Sequence, residues 1–208
     1  KGISPEIANL VFDEMTDFAK YAFNKSHAAC YAVVSYQTAY LKYYYPVEFM
    51  AALMTSVIDN PGKVAEYIYS CRQMGIKILP PDINHGYSSF SVDNGSIRYG
   101  LAAIKSIGRP VIKEIVAERK ANGEFKNLKD FIERMSGKDI NKRTIENFIK
   151  SGAFDELGGT RKQFMVIYVQ ILDQVNREKK NSMTGQMSLF DIVGEEQKSE
   201  FDIPLPNV

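Results

Sequence analysis

A chain of 208 residues is long enough for one large or two small domains, and 45% of it is hydrophobic, enough for a real core. Its 26 basic and 25 acidic residues leave a formal charge of +1, so contact with nucleic acid has to rest on local clusters of charge. The apolar runs are short and interrupted by charge, so nothing in them resembles a signal peptide or a membrane span.

Charge is segregated along the chain. Residues 98–120 hold six basic and two acidic side chains, whereas residues 191–202 hold five acids and one lysine. Cys30 and Cys71 fall in helical patterns without metal-ligand spacing, as expected of buried thiols in a reducing cytoplasm. With Lys1 at its start and Pro-Leu-Pro-Asn-Val at its end, the chain reads as part of a longer protein.

Ser4-Pro5-Glu6 predicts a helix start, with a serine cap, proline at the first position and an acid in the first turn. Leu10, Val11, Met15 and Phe18 are then expected to face a core. The stretch Tyr21–Pro46, YAFNKSHAACYAVVSYQTAYLKYYYP, opens on a polar turn and continues as helix to Tyr45. Ser26 is the expected N-cap and Pro46 the stop. Ala29, Val33, Tyr36, Tyr40 and Tyr44 form an apolar stripe at helical spacing. A helix start offers free N–H groups and the positive end of the macrodipole. With Lys25 for charge, Asn24, Ser26 and His27 for donors and Tyr21 for an aromatic face, this one could receive a nucleoside triphosphate. An ordinary capping turn is the other reading of the same residues.

Further helices are predicted over Val47–Ile58 and Lys63–Met74. The first turns Phe49, Met50, Leu53, Met54 and Val57 inward; the second turns Val64, Tyr67, Ile68 and Cys71 inward and has Gly75 as its C-cap. At Ile76 the texture changes. Ile76–Leu79, Tyr87–Val92 and Ser96–Tyr99, the last two joined by Asp93-Asn94-Gly95, predict a small β element. His85, in the polar loop before it, reads as an exposed loop residue.

Residues 101–155 return to short helical pieces. Ala102–Lys105, the turn Ser106-Ile107-Gly108 and a helix over Pro110–Ala121 have the form of a helix-hairpin-helix motif. Gly108 is expected to permit the tight turn, and the second helix to offer its N–H groups to a DNA phosphate beside Lys105, Arg109 and Lys113. Asn141–Lys150 followed by Ser151-Gly152-Ala153 has the form of a second copy, with Lys142, Arg143 and Lys150 nearby. Phe125, Leu128, Phe131 and Ile132 are expected to be the core they share. Thr160–Lys180 predicts one long helix with Phe164, Ile167, Ile171 and Val175 on one face. A polar segment, Gln186-Met187-Ser188-Leu189-Phe190 and an acidic tail of disordered composition follow.

The runs FNKSHAACYAVVSYQTAYLK, YPVEFMAALMTS, MGIKILPPDIN, YGLAAIKSIG and INKRTIENFIKSGAFDELG together resemble the C-family replicative DNA polymerases of bacteria, the polymerase III alpha subunits. The resemblance implies a mostly α fold: part of the fingers domain (1–75), a small β-containing connector (76–100), a tandem helix-hairpin-helix module (101–158), a long helix (159–182) and a flexible segment with a clamp-binding motif (183–208). It also implies nucleotide binding at Tyr21, Asn24, Lys25, Ser26 and His27. DNA binding falls to Lys105, Ser106, Ile107, Gly108, Arg109, Lys113, Lys142, Arg143, Lys150, Ser151 and Gly152, and sliding-clamp binding to Gln186, Met187, Ser188, Leu189 and Phe190.

The partners implied are primer-template DNA, a deoxynucleoside triphosphate, the sliding clamp and other replisome subunits in the cytoplasm, with no membrane. The family's two-metal phosphoryl transfer needs clustered carboxylates and Mg2+. The acids here are scattered over helix surfaces, so no catalytic or metal residue is expected in this chain and it is expected to be inactive alone. A stand-alone helix-hairpin-helix DNA-binding or repair protein would account for residues 101–155 but not for FNKSHAACYA, and a structural adaptor would need neither the basic turns nor the clamp-like segment.

Overall fold

In the computed structural model, residues 2–20, 25–138, 140–183 and 204–206 are described. They divide into two compact units, residues 1–46 and 47–208. The described residues hold eight α-helices, one 3-10 turn and a three-stranded sheet.

The first unit is a pair of helices, α1 (Pro5–Lys20) and α2 (Lys25–Tyr44). The Ser4 hydroxyl caps α1 by accepting from the Ile7 N–H at 3.3 Å. α2 already begins at Lys25, so Ser26 lies inside its first turn rather than at the N-cap. The tyrosine stripe forms as spaced, with Tyr40 stacked on Tyr44 at 4.5 Å and on Tyr36 at 6.4 Å. It buries no residue. Leu10, Val11, Met15 and Phe18 of α1 are exposed too, not core-facing as their pattern predicts. Helical periodicity marks an apolar face but does not say what covers it.

The boundary between the units falls at Pro46, whose ring excludes the α conformation from Tyr45 and which serves as the first residue of α3 (Pro46–Ser56). α4 (Pro61–Gln73) is capped by Asn60, whose side chain accepts from the Lys63 N–H, and closes at Gly75 with φ +73°. β1 (Ile78–Leu79) runs parallel to β3 (Ser96–Arg98), and β2 (Ser91–Asp93) pairs antiparallel with β3, giving the order β1-β3-β2. The hairpin between β2 and β3 has positive φ at both Asn94 and Gly95, as a two-residue type I′ turn demands. Met50, Met54, Ile58, Val64, Cys71, Phe90 and Ile97 make one core of this unit.

The larger core lies between the 3-10 turn Leu101–Ala103, α5 (Arg109–Asn122), α6 (Leu128–Met135), α7 (Lys142–Ser151) and α8 (Arg161–Met183). Phe131 sits at its centre, edge-on to Phe125 at 5.0 Å, Phe154 at 4.9 Å and Phe148 at 6.3 Å. Phe164, Ile167, Ile171 and Val175 bury the inner face of α8, as their spacing predicts.

An ion cluster ties α5 to α6. The Glu118 carboxylate accepts from Asn122 at 2.7 Å, from Arg134 at 3.2 Å and from the Lys138 ammonium. The Lys138 hydrogen bond is the largest cause, with Asn122 next, that holds Glu118 down at about 2, against the opposing effect of its burial. A depressed carboxylate stabilises the fold above its unfolded value near 4.3, and that contribution is lost as the pH falls toward 2. Glu118→Gln should therefore lower stability by about 1–3 kcal/mol at pH 7. The cost should shrink toward nothing between about pH 4 and pH 2, measured by urea melts of both proteins across that range.

Candidate nucleic-acid interface

The first hairpin is built from below. Ile104 and Ile107 are buried, and the Ile107 N–H donates to the Ile104 carbonyl at 3.3 Å, so Lys105 and Ser106 are lifted to the surface between two anchors. The left-handed residue of this turn is Ser106, at φ +63°, and not the glycine. Gly108 has φ −76° and is the N-cap of α5. A Cβ there would meet only the Pro110 Cδ at 3.6 Å, so the turn itself would tolerate one, contrary to expectation. What Gly108 supplies is open space in front of a helix start that no side chain caps. Lys105, Arg109 and Lys113 are exposed around it. Lys105 and Lys113 make no ion pair among the described residues, and Arg109 pairs with Asp59 at 3.2 Å in an exposed bridge.

The second hairpin is closed where the first is open. Gly152, at the C-cap of α7, is left-handed at φ +85° and donates to the Ile149 carbonyl at 3.1 Å. A Cβ at Gly152 would fall 2.2 Å from the Arg161 guanidinium, which forks onto Asp155 at 2.6 Å and 2.9 Å and also reaches the Lys150 carbonyl at 3.4 Å. The hydrogen bond that Arg161 donates to the Asp155 carboxylate raises the pKa of Arg161. Lys150 pairs with Glu146 at 2.5 Å.

The two turns meet. Asn147 of α7 donates its side-chain N–H to the Lys105 carbonyl at 2.9 Å, and Lys105 and Ser151 line one 350 Å³ pocket with Pro81, Tyr99 and Ile104. Asn147 was not among the residues the sequence pointed to, and a half-buried asparagine inside a short amphipathic helix is its only trace. Lys142 and Arg143 stand at the other end of α7, a ten-residue helix roughly 15 Å long, where Asn141 caps the helix and Lys142 pairs with Asp173 of α8 at 3.1 Å. The structure thus brings Lys105 of the first turn together with Ser151 of the second and leaves Lys142 and Arg143 at the far end of α7.

Of the residues expected to bind nucleotide, Lys25, Ser26 and His27 lie in the exposed first turn of α2, with the His27 ring 4.5 Å from Tyr31. Tyr21 and Asn24 lie outside the described residues, as does the whole clamp segment Gln186–Phe190. His85 is exposed, as expected of a loop residue, and is held by buried Asp82, which accepts from the His85 N–H at 2.6 Å and faces its Nδ1 at 3.0 Å. No group of three or more His, Cys, Asp or Glu among the described residues is placed to hold a metal ion. Nor is any helix among them long and apolar enough to cross a membrane.

Residues 75–164 match the helix-hairpin-helix motif family, covering both turns. Over 196 residues, 94% of this chain, it is 45% identical to the DNA polymerase III subunit alpha of Escherichia coli strain K12, covering 17% of that protein. The corresponding subunit of Chlamydia pneumoniae is 40% identical over 99% of this chain, with 16% of that protein covered, and that of Borreliella burgdorferi 44% identical over 91%, with 17% covered. The chain is homologous to part of DNA polymerase III subunit alpha. It spans about a sixth of the length of these relatives. The likeness to the alpha subunits runs well beyond residues 75–164, so a stand-alone helix-hairpin-helix protein accounts for less of the chain.

Proposed function

We propose that this chain serves as the duplex-gripping and partner-docking part of a bacterial replicative DNA polymerase. The observation that carries the reading is the open, uncapped start of α5 at Gly108, ringed by Lys105, Arg109 and Lys113 and braced by Asn147. Backbone N–H groups at a helix start, with lysine and arginine beside them, bind a phosphate without reading a base. Lys150, Ser151 and Gly152 extend that surface from the second turn. Lys142 and Arg143 would meet the duplex at a separate place, one helix length away.

On the same reading, Lys25, Ser26 and His27, with Tyr21 and Asn24, help position the incoming deoxynucleoside triphosphate, and Gln186–Phe190 attaches the polymerase to its sliding clamp. The partners are then primer-template DNA and the other replisome subunits, in the cytoplasm. Mg2+ would act in the complete polymerase. The described residues of this chain offer no carboxylate cluster to hold it, so no metal-dependent step is assigned to them.

The test is titration of the chain with two labelled duplexes of unrelated sequence over a series of salt concentrations. Equal affinities are expected, with a log–log slope of about −0.9 for each phosphate neutralised. A strong preference for one duplex, or no dependence on salt, would remove the phosphate-gripping role.

A further inference from the structure

The start of α8 is closed by a reciprocal cap. The Gln163 Oε1 accepts from the Thr160 N–H at 2.9 Å and lies 3.1 Å from its hydroxyl, while the Thr160 Oγ1 accepts from the Gln163 N–H at 3.2 Å. That cap uses only the oxygen of the Gln163 amide. Its Nε2 donates at 3.0 Å to the carbonyl of Pro206, far along the chain. Beside it, Pro204 and Leu205 line a 440 Å³ groove together with Leu128, Leu157, Phe164, Ile167 and Ile171. Gly159 makes room, since a Cβ there would lie 3.3 Å from the Leu205 Cδ1 and 2.5 Å from the Phe164 ring.

We infer that the groove between α6 and α8 is a docking site for the chain's own Pro204-Leu205-Pro206, a latch with Gln163 as its polar catch. The chemistry of the occupant suits the place. The two prolines restrict the segment before it docks and bring no N–H that would need a partner against an apolar wall. The one leucine between them is the anchor. Leu205 keeps 40% of its surface exposed, so the contact is a releasable fastening and not a piece of core. Glutamine is the residue the latch needs: glutamate completes a capping box equally well, but it has no N–H to give to Pro206.

The experiment uses the full chain with labelled methyl groups. In the unaltered protein, nuclear Overhauser contacts should join the Leu205 methyls to those of Ile167 and Ile171. Gln163→Glu should lower the ratio of docked to free latch roughly five-fold, as for the loss of one hydrogen bond, while helix content and melting temperature hold because the cap survives. Leu205→Ala should abolish docking with the same unchanged melt, and it leaves the cap untouched should Gln163→Glu disturb it. Absence of the contacts in the unaltered chain would overturn the latch. So would contacts that survive Gln163→Glu undiminished, or a melting temperature lowered by many degrees in Leu205→Ala, which would make Leu205 a core residue.

Discussion

Phe131→Ala should destabilise the second unit by about 3–5 kcal/mol. Its ring has no exposed surface and touches three other phenylalanines, each brought by a different segment: Phe125 before α6, Phe148 from α7 and Phe154 after the second turn. Removing the ring forfeits its transfer from water and leaves a space that four rigid elements cannot close by small shifts. In a unit of this size the melting temperature should fall by roughly 10 °C. Both hairpins stand on this cluster, so weakened DNA binding should accompany the lost stability. Phe131→Leu, which keeps most of the volume, should cost far less. Similar melts for the alanine and leucine variants would mean that the aromatic cluster does not hold the two hairpins together.

Gly152→Val is expected to cost about 2–4 kcal/mol, from two sources that can be separated. A β-branched residue at φ +85° is strained in its own backbone. Its Cβ would also displace the Arg161 guanidinium, which would then lose its fork on Asp155 and its bond to the Lys150 carbonyl. Gly152→Asn tolerates the left-handed backbone but still brings a Cβ, so it should show the second loss with little of the first. Thermal melts of the two variants beside Arg161→Ala would apportion the effect. An asparagine variant as stable as the parent would show that Arg161 moves aside without cost.

Much of this fold is legible in the sequence wherever short-range periodicity decides it. The inner face of α8, the Phe125–Ile132 core and the Asn94-Gly95 hairpin follow from spacing and turn chemistry alone. The β strands are shorter than their apolar runs, because only Ile78–Leu79, Ser91–Asp93 and Ser96–Arg98 find partners in register. The site is less legible. Glycine at 108 suggests where the tight turn lies, but the left-handed residue is Ser106, whose side chain stands exposed at the tip. Asn147 on Lys105 and Gln163 on Pro206 are pairings across about forty residues, which no local pattern encodes. The apolar faces of α1 and α2 are readable as faces, while what covers them lies in no spacing of the residues.

The central claim is that phosphates dock at the start of α5, and Arg109 offers the most direct measurement of it. In the free chain its partner is Asp59, both side chains largely exposed, a pair worth no more than about 1 kcal/mol. A phosphate arriving at Gly108 would compete for the same guanidinium. Duplex binding should therefore be weakened by one of two neutralising changes and strengthened by the other. Arg109→Ala should make the log–log slope shallower by roughly one, equally on two unrelated duplexes. Asp59→Ala, which frees Arg109, should tighten binding to both. An unchanged slope in Arg109→Ala together with weaker binding in Asp59→Ala would place the duplex elsewhere and contradict the account.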